Sequence, residues 1–177
     1  MLVVDLFSGT GAATKAFKDR GHKVITVDID PKLRPDIVAD IRHFPLRNLK
    51  PDFVWASPPC TEFSRRDQRG LFPNEPHPDL GLQLVAAACD AIAGLDPTYW
   101  CIENVRGAKP YLGRPTKKVK AWYLWGRFPP FDAFTTFQKH RLPGGGKKSG
   151  WRQASARSRT PFAISLALCM AFERGLA

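Results

Sequence analysis

The chain has 177 residues, of which 44% are hydrophobic and 24% charged, a balance that fits one globular domain and excludes a wholly disordered chain. No apolar run approaches the roughly 20 residues that cross a bilayer, and the four cysteines fit neither a zinc-ligand spacing nor a dense disulfide framework. We therefore expect a cytoplasmic domain with reduced thiols, no membrane partner and no metal.

The charge is distributed unevenly around a net value of +11. Residues 1–105 hold 12 basic and 14 acidic side chains, whereas residues 106–177 hold 15 basic and 2 acidic ones. A solvated basic surface that keeps the protein soluble is one explanation. A surface that binds a polyanion is the other, and an asymmetry of this size favours it.

The hydrophobic pattern predicts strands that alternate with helices. The predicted strands cover residues 2–7, 23–30, 37–41, 52–57 and 98–103. Helices are predicted at 12–19 and 80–95, and a last helix follows Thr160 and Pro161, residue types preferred at the N-cap and the first helical position. This alternation predicts an α/β, Rossmann-like fold with a mostly parallel sheet and helices on both faces.

Polar residues stand where these strands end: Asp5, Asp28, Asp40, Ser57 and Glu103. Ligands of an open parallel sheet bind outside the carboxyl ends of its strands. An Asp at such a position can also be a helix cap or a turn former. Four acids at successive strand ends nevertheless indicate a ligand site at that edge.

A turn with two glycines, residues 8–11, follows the first strand. Gly9 and Gly11 let the backbone approach a ligand closely, and the helix start offers free N–H groups. The full dinucleotide fingerprint and the Lys-Ser/Thr pair of a phosphate loop are both missing. Together with Asp28, which is placed to accept hydrogen bonds from ribose hydroxyls, the turn indicates a nucleoside-containing cofactor.

The main candidate nucleophile is a cysteine in the stretch Ser-Pro-Pro-Cys-Thr-Glu-Phe-Ser, residues 57–64. Pro58 and Pro59 fix the backbone after a strand and hold Cys60 at the ligand edge. A thiol there becomes a nucleophile if nearby positive charge or helix amides lower its pKa, whereas the other three cysteines are expected to be buried and inert. At the end of the next strand, Glu103 either holds a proton in a dry pocket or pairs with an arginine.

In their order along the chain and in their residue types, these motifs resemble those of the C5-cytosine DNA methyltransferases, which use S-adenosylmethionine. The resemblance covers residues 5–11, Asp28, Asp40-Ile41, Pro59-Cys60 and 103–105, with a looser match to the family's closing motif at 159–163. It implies the methyltransferase fold and S-adenosylmethionine as the cofactor. The residues it implies for cofactor binding are Phe7, Gly9, Gly11, Asp28, Ile29, Asp40, Ile41, Pro59 and Leu82.

The resemblance also implies catalytic roles for Cys60 and Glu103. The Cys60 thiolate would add to C6 of cytosine and make C5 nucleophilic, while Glu103 would hold the N3 and amino edge of the ring. After methyl transfer to C5, loss of the C5 proton and elimination would free Cys60. Because a base inside a duplex is out of reach of such a pocket, the family flips it out.

The chain departs from the family in its C-terminal part. Only residues 104–159 separate Glu103 from the closing helix, too few for the family's long DNA-reading region, and 138–141 and 157–159 are the nearest fragments of its base-contacting Gln-x-Arg-x-Arg strand. We therefore expect one minimal methyltransferase domain, 1–177. Its portions would be a cofactor and catalytic portion at 1–105, a basic, aromatic-rich portion at 106–159 and a closing helix at 160–177.

The basic portion is a candidate substitute for the missing region. Its lysines and arginines alternate with Trp122, Tyr123, Trp125 and Phe128, so phosphates could be held while the rings stack on bases, unless the rings are core. DNA, double- or single-stranded, is the expected partner, and a second protein could supply recognition. The alternatives are an inert DNA-binding protein of the same fold and a C5 methyltransferase of free cytosine nucleotides, the latter disfavoured by the basic charge.

Overall fold

The computed structural model describes residues 1–64, 76–133 and 160–176. The strands are β1 (Leu2–Leu6), β2 (Lys23–Asp28), β3 (Ile37–Val38), β4 (Phe53–Ala56), β5 (Tyr99–Asn104), β6 (Lys117–Val119) and β7 (Trp122–Arg127). The α-helices are α1 (Lys15–Asp19), α2 (Pro78–Leu95), α3 (Lys109–Leu112) and α4 (Phe162–Leu176). Short 3₁₀ turns follow several strands, including Thr61–Phe63 and Arg106–Ala108.

All seven strands form one sheet in the order β3-β2-β1-β4-β5-β7-β6. Strands β1 to β5 are parallel, whereas β7 runs antiparallel to β5 and β6 antiparallel to β7. From β1 the chain moves outward to β2 and β3, then returns to the other side of β1 with β4 and β5. The order therefore reverses between β1 and β4, and the crevice beyond their carboxyl ends is the topological switch point where such sheets bind ligands.

Helices cover both faces of the sheet because alternate residues of its central strands point to opposite sides. Phe53 and Trp55 of β4 pack in a cluster with residues of α1 and α4, including Phe17 and Phe172. Val54 belongs to a second cluster, which contains the buried face of α2. The predicted α/β class, with a mostly parallel sheet between two helical layers, is confirmed.

Polar contacts as well as apolar ones hold α4 against α1 and against the loop between α1 and β2. Arg20 donates to both carboxylate oxygens of Glu173, and Glu173 Oε1 lies 3.1 Å from His22 Nε2. Ser165 Oγ accepts a hydrogen bond from the backbone N–H of Ala16 at 3.1 Å. Cys169 joins this group, since candidate ligand atoms of His22, Cys169 and Glu173 lie within 4.8 Å of one another, a grouping that the cysteine spacing did not reveal.

Among the described residues, one helix, α2, has the length and composition of a membrane span. Its buried residues include Ala88, Ile92 and Leu95, which pack against Val54 of β4 in the core. A helix with one face packed on a sheet in this way is typical of a core helix. Cys89 on the same helix is exposed, so the expectation that it is buried was wrong, while Cys101 and Cys169 are buried as expected.

The boundaries differ from the sequence prediction where backbone turns intervene. Helix α1 begins only at Lys15, since Gly9 and Gly11 adopt positive φ angles of 55° and 71° and extend the turn. Strand β3 ends at Val38, so Asp40 lies outside it. The β6–β7 pair was not predicted, because its basic and aromatic composition was interpreted as partly irregular.

The aromatic residues of the basic portion are mainly part of the core. Tyr123 is 7% and Trp125 8% exposed, while Trp122 and Phe128 are partly buried against the same core that contains Phe53. The hypothesis that these rings stack on bases is therefore wrong for Tyr123 and Trp125, because strand β7 turns them into the protein. Residues 134–159, which include both base-contacting fragments, lie outside the described residues.

Candidate active site

A cavity of about 320 Å³ lies at the carboxyl ends of the parallel strands. Of the residues expected to bind the cofactor, six line it: Phe7, Asp28, Ile29, Asp40, Ile41 and Pro59. Arg42, Leu80, Gln83 and Leu84 also contribute to the wall. The cavity is at the lower end of the roughly 300–1,000 Å³ of small-molecule sites.

The glycine turn shapes this cavity without lining it. The Gly9 N–H donates to Asp28 Oδ2 at 2.8 Å, and the Asp30 N–H donates to Asp28 Oδ1 at 3.0 Å, so the carboxylate is held between two backbone segments. A β-carbon at Gly9 or Gly11 would meet no atom within 4 Å. The positive φ, rather than crowding, therefore calls for glycine, and the space above the turn is open. Phe7 also has a positive φ of 58°, an uncommon conformation for a side-chain-bearing residue.

Asp40 is held at the cavity wall by a residue that sequence reasoning did not include. It caps the short turn that begins at Ile41, and the backbone N–H and guanidinium of Arg42 both donate to its carboxylate. Hydrogen bonds from Arg42 lower the pKa of Asp40 to about 2. Asp40 is thus ionised near neutral pH and already paired with a cation.

Leu82 does not line this cavity, contrary to expectation. It packs instead with Phe63 and Val85 in a separate cluster. Successive helical residues differ by about 100° in direction, so Leu80 and Leu84 face the cavity while Leu82 points away from it. Identifying the cavity-facing leucine requires the rotational setting of α2, which the sequence alone did not provide.

Asp5 also lies elsewhere than expected. It is inside β1, 1% exposed, and its Oδ2 accepts a hydrogen bond from Thr14 Oγ1 at 2.6 Å, while Oδ1 has no partner among the described residues. Burial raises the pKa of Asp5 to about 7. The hydrogen bond between Asp5 and Thr14 therefore connects β1 to the segment that follows the glycine turn, and the Asp5 side chain does not face the cavity.

Cys60 stands at the end of β4 in a loop that is held from two sides. The side-chain amide of Asn104 donates to the Pro58 carbonyl at 3.1 Å, and Ser64 Oγ donates to the Cys60 carbonyl at 2.8 Å. The Cys60 side chain is partly buried, and burial together with the charge of Glu103 raises the pKa of its thiol. The surroundings of Cys60 therefore favour the thiol over the thiolate.

Glu103 lies on the neighbouring strand at the same height as the Cys60 loop. Ala56 pairs with Ile102, which brings the next residues of the two strands, Ser57 and Glu103, side by side. Burial raises the pKa of Glu103 to about 7, against a lowering effect of a hydrogen bond from Ser57. No arginine or lysine in the described part of the chain forms an ion pair with Glu103, so the geometry favours a proton-holding group over the alternative of a charge pair.

A close backbone contact couples the two segments that leave the site. A β-carbon at Gly107, in the turn after Glu103, would collide with the Phe63 carbonyl in the turn after Cys60. Glycine is therefore required there by the approach of another backbone. Sequence reasoning missed Gly107 and Ser64, since their roles depend on which turns meet in space.

Residues 1–120 match the model of the C-5 cytosine-specific DNA methylase family. A protein of frog virus 3 (isolate Goorha), described as a probable DNA (cytosine-5)-methyltransferase, is 34% identical over 135 residues, which cover 69% of this chain and 59% of that relative. The chain thus spans less than two thirds of the length of this curated relative.

Two solved structures are less similar in sequence to this chain than the viral relative is. The Entamoeba histolytica methyltransferase EhMeth is 18% identical with a TM-score of 0.45, and the match covers 75% of this chain and 54% of that one. The S. pombe Dnmt2 methyltransferase is 19% identical with a TM-score of 0.40, over 62% of this chain and 36% of that one.

Proposed function

The chain belongs to the C-5 cytosine-specific DNA methylase family, and on this premise we propose that it transfers a methyl group from S-adenosylmethionine to C5 of cytosine in DNA. The observation that carries the proposal is the pairing of β4 with β5, which sets the Cys60 loop beside Glu103. A carboxyl whose pKa is about 7 can be protonated at neutral pH and can donate to N3 of a cytosine.

The cavity residues fit S-adenosylmethionine as the cofactor. Asp28 keeps lone pairs for ribose hydroxyls, since each of its oxygens accepts only one backbone N–H in the described contacts. Ile29 is 62% exposed at the wall, an apolar surface that an adenine ring would cover. The proposed cofactor residues are the six that line the cavity together with Gly9 and Gly11, whose turn leaves open space for the methionine part.

The proposed reaction assigns one task to each catalytic residue. S-adenosylmethionine, when bound, supplies an electrophilic methyl group. The Cys60 thiol loses its proton to solvent and its sulfur forms a bond to C6 as the C5–C6 double bond opens, while protonated Glu103 donates a hydrogen bond to N3 and stabilises the negative charge that this places in the ring. C5 then forms a bond to the methyl group while the bond from that group to the sulfonium sulfur breaks and leaves a neutral thioether; C5 loses its proton to solvent, and the C6–S bond breaks to return the thiolate.

Binding of cytosine would also ease the ionisation of Cys60. The negative charge of Glu103 is one of the causes that raise the pKa of the thiol. When Glu103 carries a proton and holds the base, that charge is gone, and the thiolate is less disfavoured. The arrangement therefore couples formation of the nucleophile to occupation of the site.

Residues 1–177 would act as one domain with the portions 1–105, 106–159 and 160–177, since β7 pairs with β5 and α4 packs on α1 within the described part. DNA is the proposed partner, and with no room for a long DNA-reading region a second protein could supply recognition. We propose a cytoplasmic location, in keeping with four free thiols.

A transfer assay tests the proposal. The full chain is incubated with radiolabelled S-adenosylmethionine and, in parallel, with duplex DNA, single-stranded DNA or deoxycytidine monophosphate. We expect label in DNA with the wild type and Cys89→Ala, which alters an exposed thiol, and none with Cys60→Ala. Cofactor binding without transfer would identify an inert binder, and label in the mononucleotide alone would identify a nucleotide methyltransferase.

A further inference from the structure

A second, larger cleft of about 790 Å³ opens beside the catalytic residues. One wall contains Glu62 and Phe63 of the turn that directly follows Cys60, and the other contains Arg106 and Gly107 of the turn that begins three positions after Glu103. Both walls of the cleft are thus continuous in the chain with the two catalytic residues, so the cleft is placed to receive a part of the strand next to the target cytosine.

The side chains of this cleft suit a nucleotide. Arg106 and Lys109 are both exposed on its wall, and neither forms an ion pair with any residue in 1–64, 76–133 or 160–176. The acid on the wall, Glu62, is already engaged, since its Oε2 accepts a hydrogen bond from the His77 N–H at 2.9 Å. Among the lining residues that the structure describes, Arg106 and Lys109 carry two positive charges against the one carboxylate of Glu62, and this excess of positive charge favours a phosphate.

The cleft also holds an exposed aromatic ring. Tyr111 is 48% exposed, and its ring centroid lies 5.7 Å from that of Phe63, which is buried. Phe63 supports the Tyr111 ring, while nearly half of Tyr111 remains accessible. Exposed aromatic rings beside cations are the elements with which proteins bind single-stranded nucleic acid.

We propose that this cleft binds the nucleotide adjacent to the target cytosine on the same strand, with its phosphate held by Arg106 and Lys109 and its base stacked on Tyr111. The inference rests on the proposed function, because it takes the cytosine site as given. Arg106, Lys109 and Tyr111 would then replace part of the missing DNA-reading region, and Tyr111, instead of the buried rings of β7, would stack on a base.

Binding of a fluorescent single-stranded oligonucleotide, followed by anisotropy over a range of salt concentrations, tests the phosphate contacts without any need for catalysis. Arg106→Gln and Lys109→Gln should each reduce the slope of log affinity against log salt by about 0.7, the value for one phosphate contact in single strands. Arg114→Gln removes the same charge from an exposed residue outside the cleft and should leave the slope unchanged.

The stacking contact is tested by photocrosslinking. An oligonucleotide with one cytosine and 5-iodouracil next to it should crosslink to Tyr111, as identified by mass spectrometry, and Tyr111→Leu should abolish the crosslink and weaken binding by roughly 10-fold. Crosslinks at other residues only, or cleft variants that match Arg114→Gln, would overturn the inference. If the inference is overturned in this way but the wild type transfers methyl groups, the proposed function still holds. If the cleft variants bind the oligonucleotide weakly but the wild type transfers no methyl group, the cleft binds nucleic acid and the proposed function is wrong.

Discussion

The indole Nε1 of Trp55 donates a hydrogen bond to Ser57 Oγ across 2.6 Å. Because the Ser57 oxygen accepts from Trp55, its single hydrogen is free to be donated to the carboxyl of Glu103, which lies beside it on the next strand. The hydrogen bonds therefore run in one direction, from Trp55 through Ser57 to Glu103. When Glu103 is protonated, its proton therefore lies on the carboxyl oxygen that does not accept the hydrogen bond from Ser57.

Ser57→Ala should raise the pKa of Glu103 above its value of about 7, because it removes a hydrogen bond that favours the charged form. If protonated Glu103 is the active form, methyl transfer should then persist to higher pH. The alkaline limb of the rate profile should move up by about one pH unit, as expected for a hydrogen bond to a charged group. Ser57→Thr keeps the hydroxyl and serves as the control; an unmoved limb in Ser57→Ala would contradict the assignment.

Glu103→Gln should make Cys60 more reactive even though it impairs methyl transfer. The substitution removes a negative charge that raises the pKa of the thiol, so more thiolate forms at a given pH. The rate of iodoacetamide alkylation at Cys60, followed by mass spectrometry across pH, measures this. Cys89, whose thiol pKa is raised by partial desolvation on the helix surface and by the charge of Asp90, provides an internal reference that should not change. Equal Cys60 rates in both proteins would count against the coupling.

Asp5 should make the protein less stable as the pH rises. Its pKa is about 7 in the folded protein, against 3.8 for an ordinary aspartate, so the folded state binds the extra proton between these values. Its contribution is fully present below about pH 4 and is lost as the pH rises through 7. The free energy of unfolding, measured with urea, should fall between pH 4.5 and 8, and it should fall less in Asp5→Asn. The fall in the wild type should exceed that in the variant by at most about 4 kcal/mol. Asp19→Asn, on the surface, should leave the slope as in the wild type.

Docking of α4 should depend on Phe172. This side chain is 4% exposed, and the centroid of its ring lies 4.8 Å from the ring centroid of Phe53 and 5.2 Å from that of Tyr99. Phe172→Ala should reduce the free energy of unfolding by about 3–5 kcal/mol through lost contacts and a cavity. Phe162→Ala, at a 46% exposed position of the same helix, should cost less than about 0.5 kcal/mol. Similar melting curves for the two variants would show that the helix is not anchored through Phe172.

Continuous apolar runs made the parallel strands predictable, because strands such as β4 are buried on both faces and need no alternation. The positions of Cys60 and Glu103 followed from the strand ends, since parallel strands deliver their next residues to one edge. This part of the site depends on the chain direction and the strand order alone.

The rest depends on the rotation and approach of elements, which a linear pattern does not contain. Leu82 and Leu84 differ by two positions but face different sides of α2. Asp5 resembles a ligand-edge acid in the sequence, yet the pleat of β1 turns it inward to Thr14. The rings of Tyr123 and Trp125 resembled a nucleic-acid surface because the antiparallel pairing of β7 with β5 was not foreseen.

The contact between Gly107 and the Phe63 carbonyl has a consequence for mutational tolerance. Any side chain at 107 would push apart the turns behind the nucleophile and behind the proton-holding carboxyl, so one substitution would disturb both halves of the reaction centre. A deep mutational scan under selection for methylation should thus accept only glycine at position 107, while Arg114, exposed a few residues away, should accept many replacements.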